Sequence, residues 1–240
     1  MARIRERGRR AGIWTAPFLV GQRSQLYAEH PDWLIQQASA GHNWHQDVFA
    51  LDITNPGAAA YLHRVFSTFH QLGIDFFKID FIYAGALGGR RYEDVPSVEA
   101  YRRGVRLIRD AIGPQSYLLG CGAPILPSVG LVDAMRISPD TAPLYEPRQG
   151  DLSQPSVRVA ILSGAGRAWQ HGRFWVNDPD CLLARPKVEH REDWAAHIQR
   201  YGGLRGSSDR LRDLDQWGLQ TTRQLLSAVP PPNPFPLDPS

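Results

Sequence analysis

IDFFKIDFI, residues 74–82, is a nearly continuous apolar run that carries three charges, Asp75, Lys78 and Asp80. Strands buried on both faces of a parallel sheet read this way, because covering helices leave no wet face to alternate with. Successive side chains of a strand point to opposite faces, so Lys78 and Asp80 share one at the carboxyl end of the run. Helical patterns flank it. Asn55-Pro56 opens one, with Leu62, Val65, Phe66, Phe69 and Leu72 at spacings of three and four, and Gly73 stops it. The other is Ser97–Ile112, through Val98, Tyr101, Val105, Leu107 and Ile108.

Further out, strand-like runs occupy 12–20 (broken by Pro17), 48–53, 117–121, 133–138 and 174–176, with a glycine-rich candidate at 203–206. Helical patterns occupy the polar stretch 26–34, then 153–162, 189–201 and 211–229. Alternating strands and helices predict parallel βαβ units with right-handed crossovers. The expectation is an α/β fold of the (β/α)8 TIM-barrel type, incomplete at about six strand–helix units. It fills residues 1–229, and the proline-rich tail 230–240 is a linker that forms neither helix nor central strand.

Composition narrows the function classes. Of 240 residues, 42% are hydrophobic and 21% charged, as in ordinary globular proteins. The net charge of +3 is concentrated in ARIRERGRR, residues 2–10, which reads as a solvated surface before it reads as a nucleic-acid contact. No apolar stretch of about 18 residues occurs, and the start lacks the apolar core of a signal peptide. Neither a membrane nor a nucleic acid is expected as a partner. Two cysteines, Cys121 and Cys181, are too few for a disulfide framework and fit the cytoplasm. No GxGxxG follows the first strand, and no GxSxG, CxxC or phosphate loop is present. His42 and His45, in HNWH, lack a third ligand group at metal spacing, so no metal site is expected.

Reactive groups of a barrel sit at the carboxyl ends of its strands. Lys78 beside Asp80 would keep that carboxylate ionised, as a nucleophile requires, or would form a buried ion pair that holds the barrel together. Arg136, Ser138 and Asp140 fall at even spacing around a strand end, and Asp140 after Pro139 also fits a plain turn. Trp175, Asp178 and Asp180, in WVNDPD, combine an aromatic with paired acids, a pattern suited to sugar binding and equally to a turn. Gly120-Cys121-Gly122 would admit a ligand closely or make a tight turn. Trp14 and Phe18, near the end of the first strand, are either ligand platform or core.

Together these segments resemble glycoside hydrolase family 36, the α-galactosidases of clan D, and more distantly family 27. The resemblance runs through GIWTAPFLV, LYAEHPDWLI, DVFALDITNPGAAAYL, FFKIDF, LLGCGAP, RISPD, WVNDPDCLL and GGLRGSSDRLRDL in order, and covers nearly the whole chain. It implies that Asp80, in K-x-D, is the nucleophile and that Asp140, closing R-x-S-x-D, is the general acid/base. It further implies that Lys78 and Arg136 hydrogen-bond the sugar hydroxyls, with Cys121 and Trp14 on the pocket wall. The reaction it implies is double displacement on a terminal α-galactoside, with the two carboxyl groups about 5–5.5 Å apart and no cofactor. Against the family pattern, strands one and two are absent, along with the paired aspartates of the second. The segment from Trp175 to Asp180 is one residue longer than in family 27. The chain is thus expected to be strands three to eight of the family barrel, with a missing N-terminal half or a homo-oligomeric partner. The alternative is an inactive remnant or a sugar-binding subunit.

Overall fold

The computed structural model describes residues 2–230. The chain divides into two compact units, 1–133 and 134–240. The first contains α1 (Ala2–Arg5), β1 (Gly12–Thr15), β2 (Leu19–Gly21), α2 (Gln25–Glu29), β3 (Leu34–Asn43), β4 (Gln46–Leu51), α3 (Pro56–Gln71), β5 (Phe76–Ile79), α4 (Ser97–Ile112) and β6 (Tyr117–Gly120). The second contains β7 (Ala134–Arg136), α5 (Val157–Gly166), β8 (Val176–Asp178), α6 (Arg191–Tyr201) and α7 (Gln216–Ser227). Among the described residues no helix is long and apolar enough to cross a membrane. Residues 231–240 of the expected linker lie outside the described residues.

In the first unit β5 lies between β1 and β6, parallel to both, with Trp14 opposite Lys78 and Ile79 opposite Gly120. Phe77 and Ile79 are fully buried, and Phe66, Ile108, Ile112 and Leu118 are buried with them. Helix α3 begins where Asn55 accepts hydrogen bonds from the amides of Gly57 and Ala58 ahead of Pro56. It ends before Gly73, whose φ of 88° suits glycine. It packs against α4. Parallel strands with helical crossovers bear out the α/β barrel-type reading.

Two expectations for this unit need correction. The run at 48–53 is not a member of the parallel sheet. It is β4, the centre of an antiparallel sheet ordered β2-β4-β3. The stretch 26–34 is not one helix, because α2 ends at Glu29, a short 3-10 turn spans Pro31–Trp33, and β3 begins at Leu34. Strands β3 and β4 are joined by Trp44-His45 alone, both at positive φ of 48° and 59°. That is the backbone of a mirror-image hairpin turn, which Asn-Gly would adopt more cheaply.

In the second unit β7 and β8 are parallel, with Arg136 opposite Asp178. Trp194 is fully buried among Val157, Ala160, Leu182, Ala184 and Ile198, and its Nε1–H donates to the Cys181 carbonyl. Arg191 on α6 pairs with Asp215, the N-cap of α7, at 2.9 Å and lies over the Trp217 ring. Corrections apply here too. Helix α5 starts after Ser156, not at Ser153, because Ser156 Oγ is the group that accepts from the Val159 amide. The short strand is Val176–Asp178 rather than 174–176, and α7 starts at Gln216 rather than at 211. No strand forms at 203–206. There the amides of Gly203 and Leu204 both donate to the Asn177 carbonyl, and only an isolated bridge joins Leu182 to Ser207. A glycine pair has no side chain to pack and resists ladder formation.

Candidate active site

Asp80 follows β5 directly, and its amide donates to the Thr15 carbonyl of β1. Its carboxylate is fixed by two donors. Trp14 Nε1–H reaches Oδ2 at 3.1 Å and the Phe81 amide reaches Oδ1 at 2.7 Å. The second bond exists because Phe81 turns into the left-handed region, φ 51°. A residue other than glycine in that region costs of order 1–3 kcal/mol, and such strain gathers at functional sites. Gly122 makes room, since a Cβ there would sit 3.1 Å from the Phe81 nitrogen and 3.3 Å from Asp80 Oδ1. The close approach read from Gly120-Cys121-Gly122 is therefore to the Asp80 turn itself. Cys121 is buried, and its amide donates to the Ile79 carbonyl.

Lys78 does share the Asp80 face, since Phe77 and Ile79 take the buried one. It makes no ion pair with Asp80, and the donors that hold the carboxylate are the indole and the backbone amide. Around them lies an aromatic group of which sequence reasoning had singled out Trp14 and missed Trp44, Phe81 and Tyr83. Trp14 is 47% exposed and Trp44 48%, and their ring centroids are 6.3 Å apart, edge to face. Phe81 packs edge-on against both, at 6.5 and 5.5 Å, and Tyr83 against Phe81 at 6.4 Å. Phe18, the other half of the Trp14 motif, is instead fully buried against Tyr101. His42 pairs with Asp47 across the hairpin at 2.9 Å.

In the second unit Arg136 ends β7 with its side chain 6% exposed and meets three carboxylates. Its Nε lies 3.0 Å from Asp178, one terminal nitrogen 2.8 Å from Asp140, and the other 2.7 Å from Asp180. Asp178 and Asp180 are buried, whereas the Asp140 side chain is 69% exposed. Burial pushes the Asp180 carboxyl above its ordinary range, against the pull of Arg136 and of the Thr141 and Cys181 amides that it accepts. Asp178 Oδ1 accepts from the Asp180 amide, and Ser138 Oγ–H donates to the Pro179 carbonyl. The even spacing of Arg136, Ser138 and Asp140 thus ties the 136–141 and 177–181 segments together and leaves Asp140 facing solvent.

This arrangement places three expected sugar-binding residues elsewhere. Arg136 was expected on sugar hydroxyls, yet its Nε and both terminal nitrogens are engaged by acids. Trp175 was expected as a sugar platform, yet it is 5% exposed and packs on Phe174. Asp178 is likewise taken up by Arg136 and the Asp180 amide. Asp180, the least prominent acid of WVNDPD, proves to be the one that clamps both segments.

The Melibiase family model matches residues 1–101. The solved α-galactosidase of Thermus thermophilus, in complex with stachyose, superimposes with a TM-score of 0.85 and 32% identity over 95% of this chain. Among curated proteins, α-galactosidase 1 of Pediococcus pentosaceus is 30% identical over 102 residues, and an α-xylosidase of Emericella nidulans is 34% identical over 88. Those matches cover 38% and 34% of this chain. The chain spans 52% of the Thermus protein and 14% and 11% of the two curated relatives. The relatives are glycoside hydrolases, and the chain has the α/β fold of TIM-barrel glycosidases.

Proposed function

We infer that this chain carries the catalytic carboxylates of a retaining α-galactosidase of the family 36 type. The observation that supports this best is the setting of Asp80. A carboxylate that accepts from Trp14 and from the Phe81 amide is aimed by fixed donors, as a glycosyl nucleophile must be. In this reading Asp80 attacks the anomeric carbon and forms a galactosyl-enzyme. Asp140 protonates the departing oxygen and then takes the proton of the incoming water. Arg136, anchored by Asp178 and Asp180, orients Asp140, and Lys78 is free to meet a sugar hydroxyl. The galactosides bound by the Thermus protein, stachyose and p-nitrophenyl α-D-galactopyranoside, are the substrates to try first.

The test is turnover of p-nitrophenyl α-galactoside by the purified chain, with Asp80→Asn as control. Turnover should fall by about 10³-fold or more in the variant, as expected when a covalent nucleophile is lost. NMR of the first-formed sugar should show α-galactose. Release of β-galactose would overturn the retaining mechanism, and equal rates in both proteins would overturn the role of Asp80.

A further inference from the structure

The β3–β4 hairpin tip carries features that the chemistry at Asp80 does not use. Trp44 and His45 occupy a two-residue turn at positive φ, where most side chains are strained and Gly or Asn is favoured. Trp44 is nevertheless braced from several sides. Its amide donates to the Asn43 side chain, and its ring meets Trp14 and Phe81 edge-on. Tyr83, next in the aromatic series, donates its hydroxyl to the Ala40 carbonyl on β3, and its amide donates to Gly122. The loop after Asp80 is thus tied to the hairpin arm. With all this packing, Trp44 still leaves 48% of its surface open.

A large, half-open indole held in a strained turn beside a carboxylate is built for a flat apolar ligand face. The C–H face of a pyranose is such a surface, and aromatic rings bind through it. Trp44 touches Trp14 and Phe81, the two residues that hold Asp80, and is one ring further from the carboxylate than they are. Resting on the function inferred above, we propose that Trp44 is a specificity-determining residue that stacks on the sugar next to the galactosyl unit being transferred. Trp14 and Phe81 flank the galactosyl unit itself, and the hairpin tip extends the apolar wall to its neighbour.

The experiment is calorimetric titration of the Asp80→Asn chain with galactose and with stachyose, with Trp44 intact and as Trp44→Ala and Trp44→Phe. In Trp44→Ala, stachyose affinity should drop about ten-fold, as loss of one stacked ring implies, while galactose changes less than about two-fold. Trp44→Phe should fall between. Equal stachyose affinity in all three overturns this inference and leaves the function standing. Loss of both sugars in Trp44→Ala with full retention of both in Trp44→Phe shows a role in folding the hairpin, and also overturns it. Failure of both sugars to bind with Trp44 intact overturns the proposed function together with this inference.

Discussion

Trp14 reaches Asp80 with its Nε1–H, and a hydrogen bond to an ionised carboxylate contributes about 1.5–3 kcal/mol. Trp14→Phe keeps the ring and removes the donor. If that bond is fully used in the transition state, kcat/KM falls by about 10–100-fold. The thermal midpoint should hold, because the ring is half exposed. An unchanged kcat/KM would show that the indole only fills space. The two candidate carboxylates, and Trp14 and Arg136 beside them, were legible in the sequence through its motifs. The Phe81 amide and Trp44 were not, because neither a left-handed backbone nor a hairpin tip leaves a mark in residue spacing.

Element by element, legibility follows periodicity. Helix α4 was readable to the residue, since its apolar positions repeat cleanly between Pro96 and Gly113. Strand β3 was not, because QQASAGHN offers little alternation and the ladder shifts register twice along it. On α6, His197 stacks on Trp194 and meets Tyr201 at a tilt, its Nε2 buried with no hydrogen-bond partner. Burial lowers its pKa from 6.5 to about 4. The unfolded chain takes up this proton near 6.5 and the folded chain only near 4. Its contribution to stability is therefore complete above pH 6.5 and lost as pH falls toward 4. The loss approaches about 3 kcal/mol. Urea midpoints at pH 7 and 4.5 should diverge in the natural chain and come closer together in His197→Phe, which keeps the stack and cannot titrate. A divergence of the same size in both would refute the assignment.

For the whole molecule, the proposed chemistry gives Asp80 and Asp140 different tasks, and variants at the two positions should fail differently. Asp80→Asn stops the reaction at its first bond. Asp140→Ala removes only the proton donor and acceptor, so an aryl galactoside with an acidic phenol still transfers its sugar to Asp80. The galactosyl-enzyme then waits for a nucleophile that needs no base. Added azide should restore turnover and yield α-galactosyl azide, identified by mass and NMR. No rescue, or a β-azide, would count against the assignment of Asp140. At this scale the parallel strands and their crossovers were plain from hydrophobic runs. The antiparallel β2-β4-β3 sheet was hidden, because β4 looks like any other core strand until its partners are known.

At position 122, where φ is 54°, a methyl group would lie 3.1–3.3 Å from the Asp80 turn, a few tenths of an ångström too close. Directed evolution of this scaffold should therefore find that corner closed, since even Gly122→Ala would push against the turn that aims the carboxylate. The hairpin tip across the cluster already tolerates a bulky residue in an unfavourable backbone. Diversity introduced at positions 44 and 45, rather than at 122, is where altered sugar preference can be selected without dismantling the machinery beneath it.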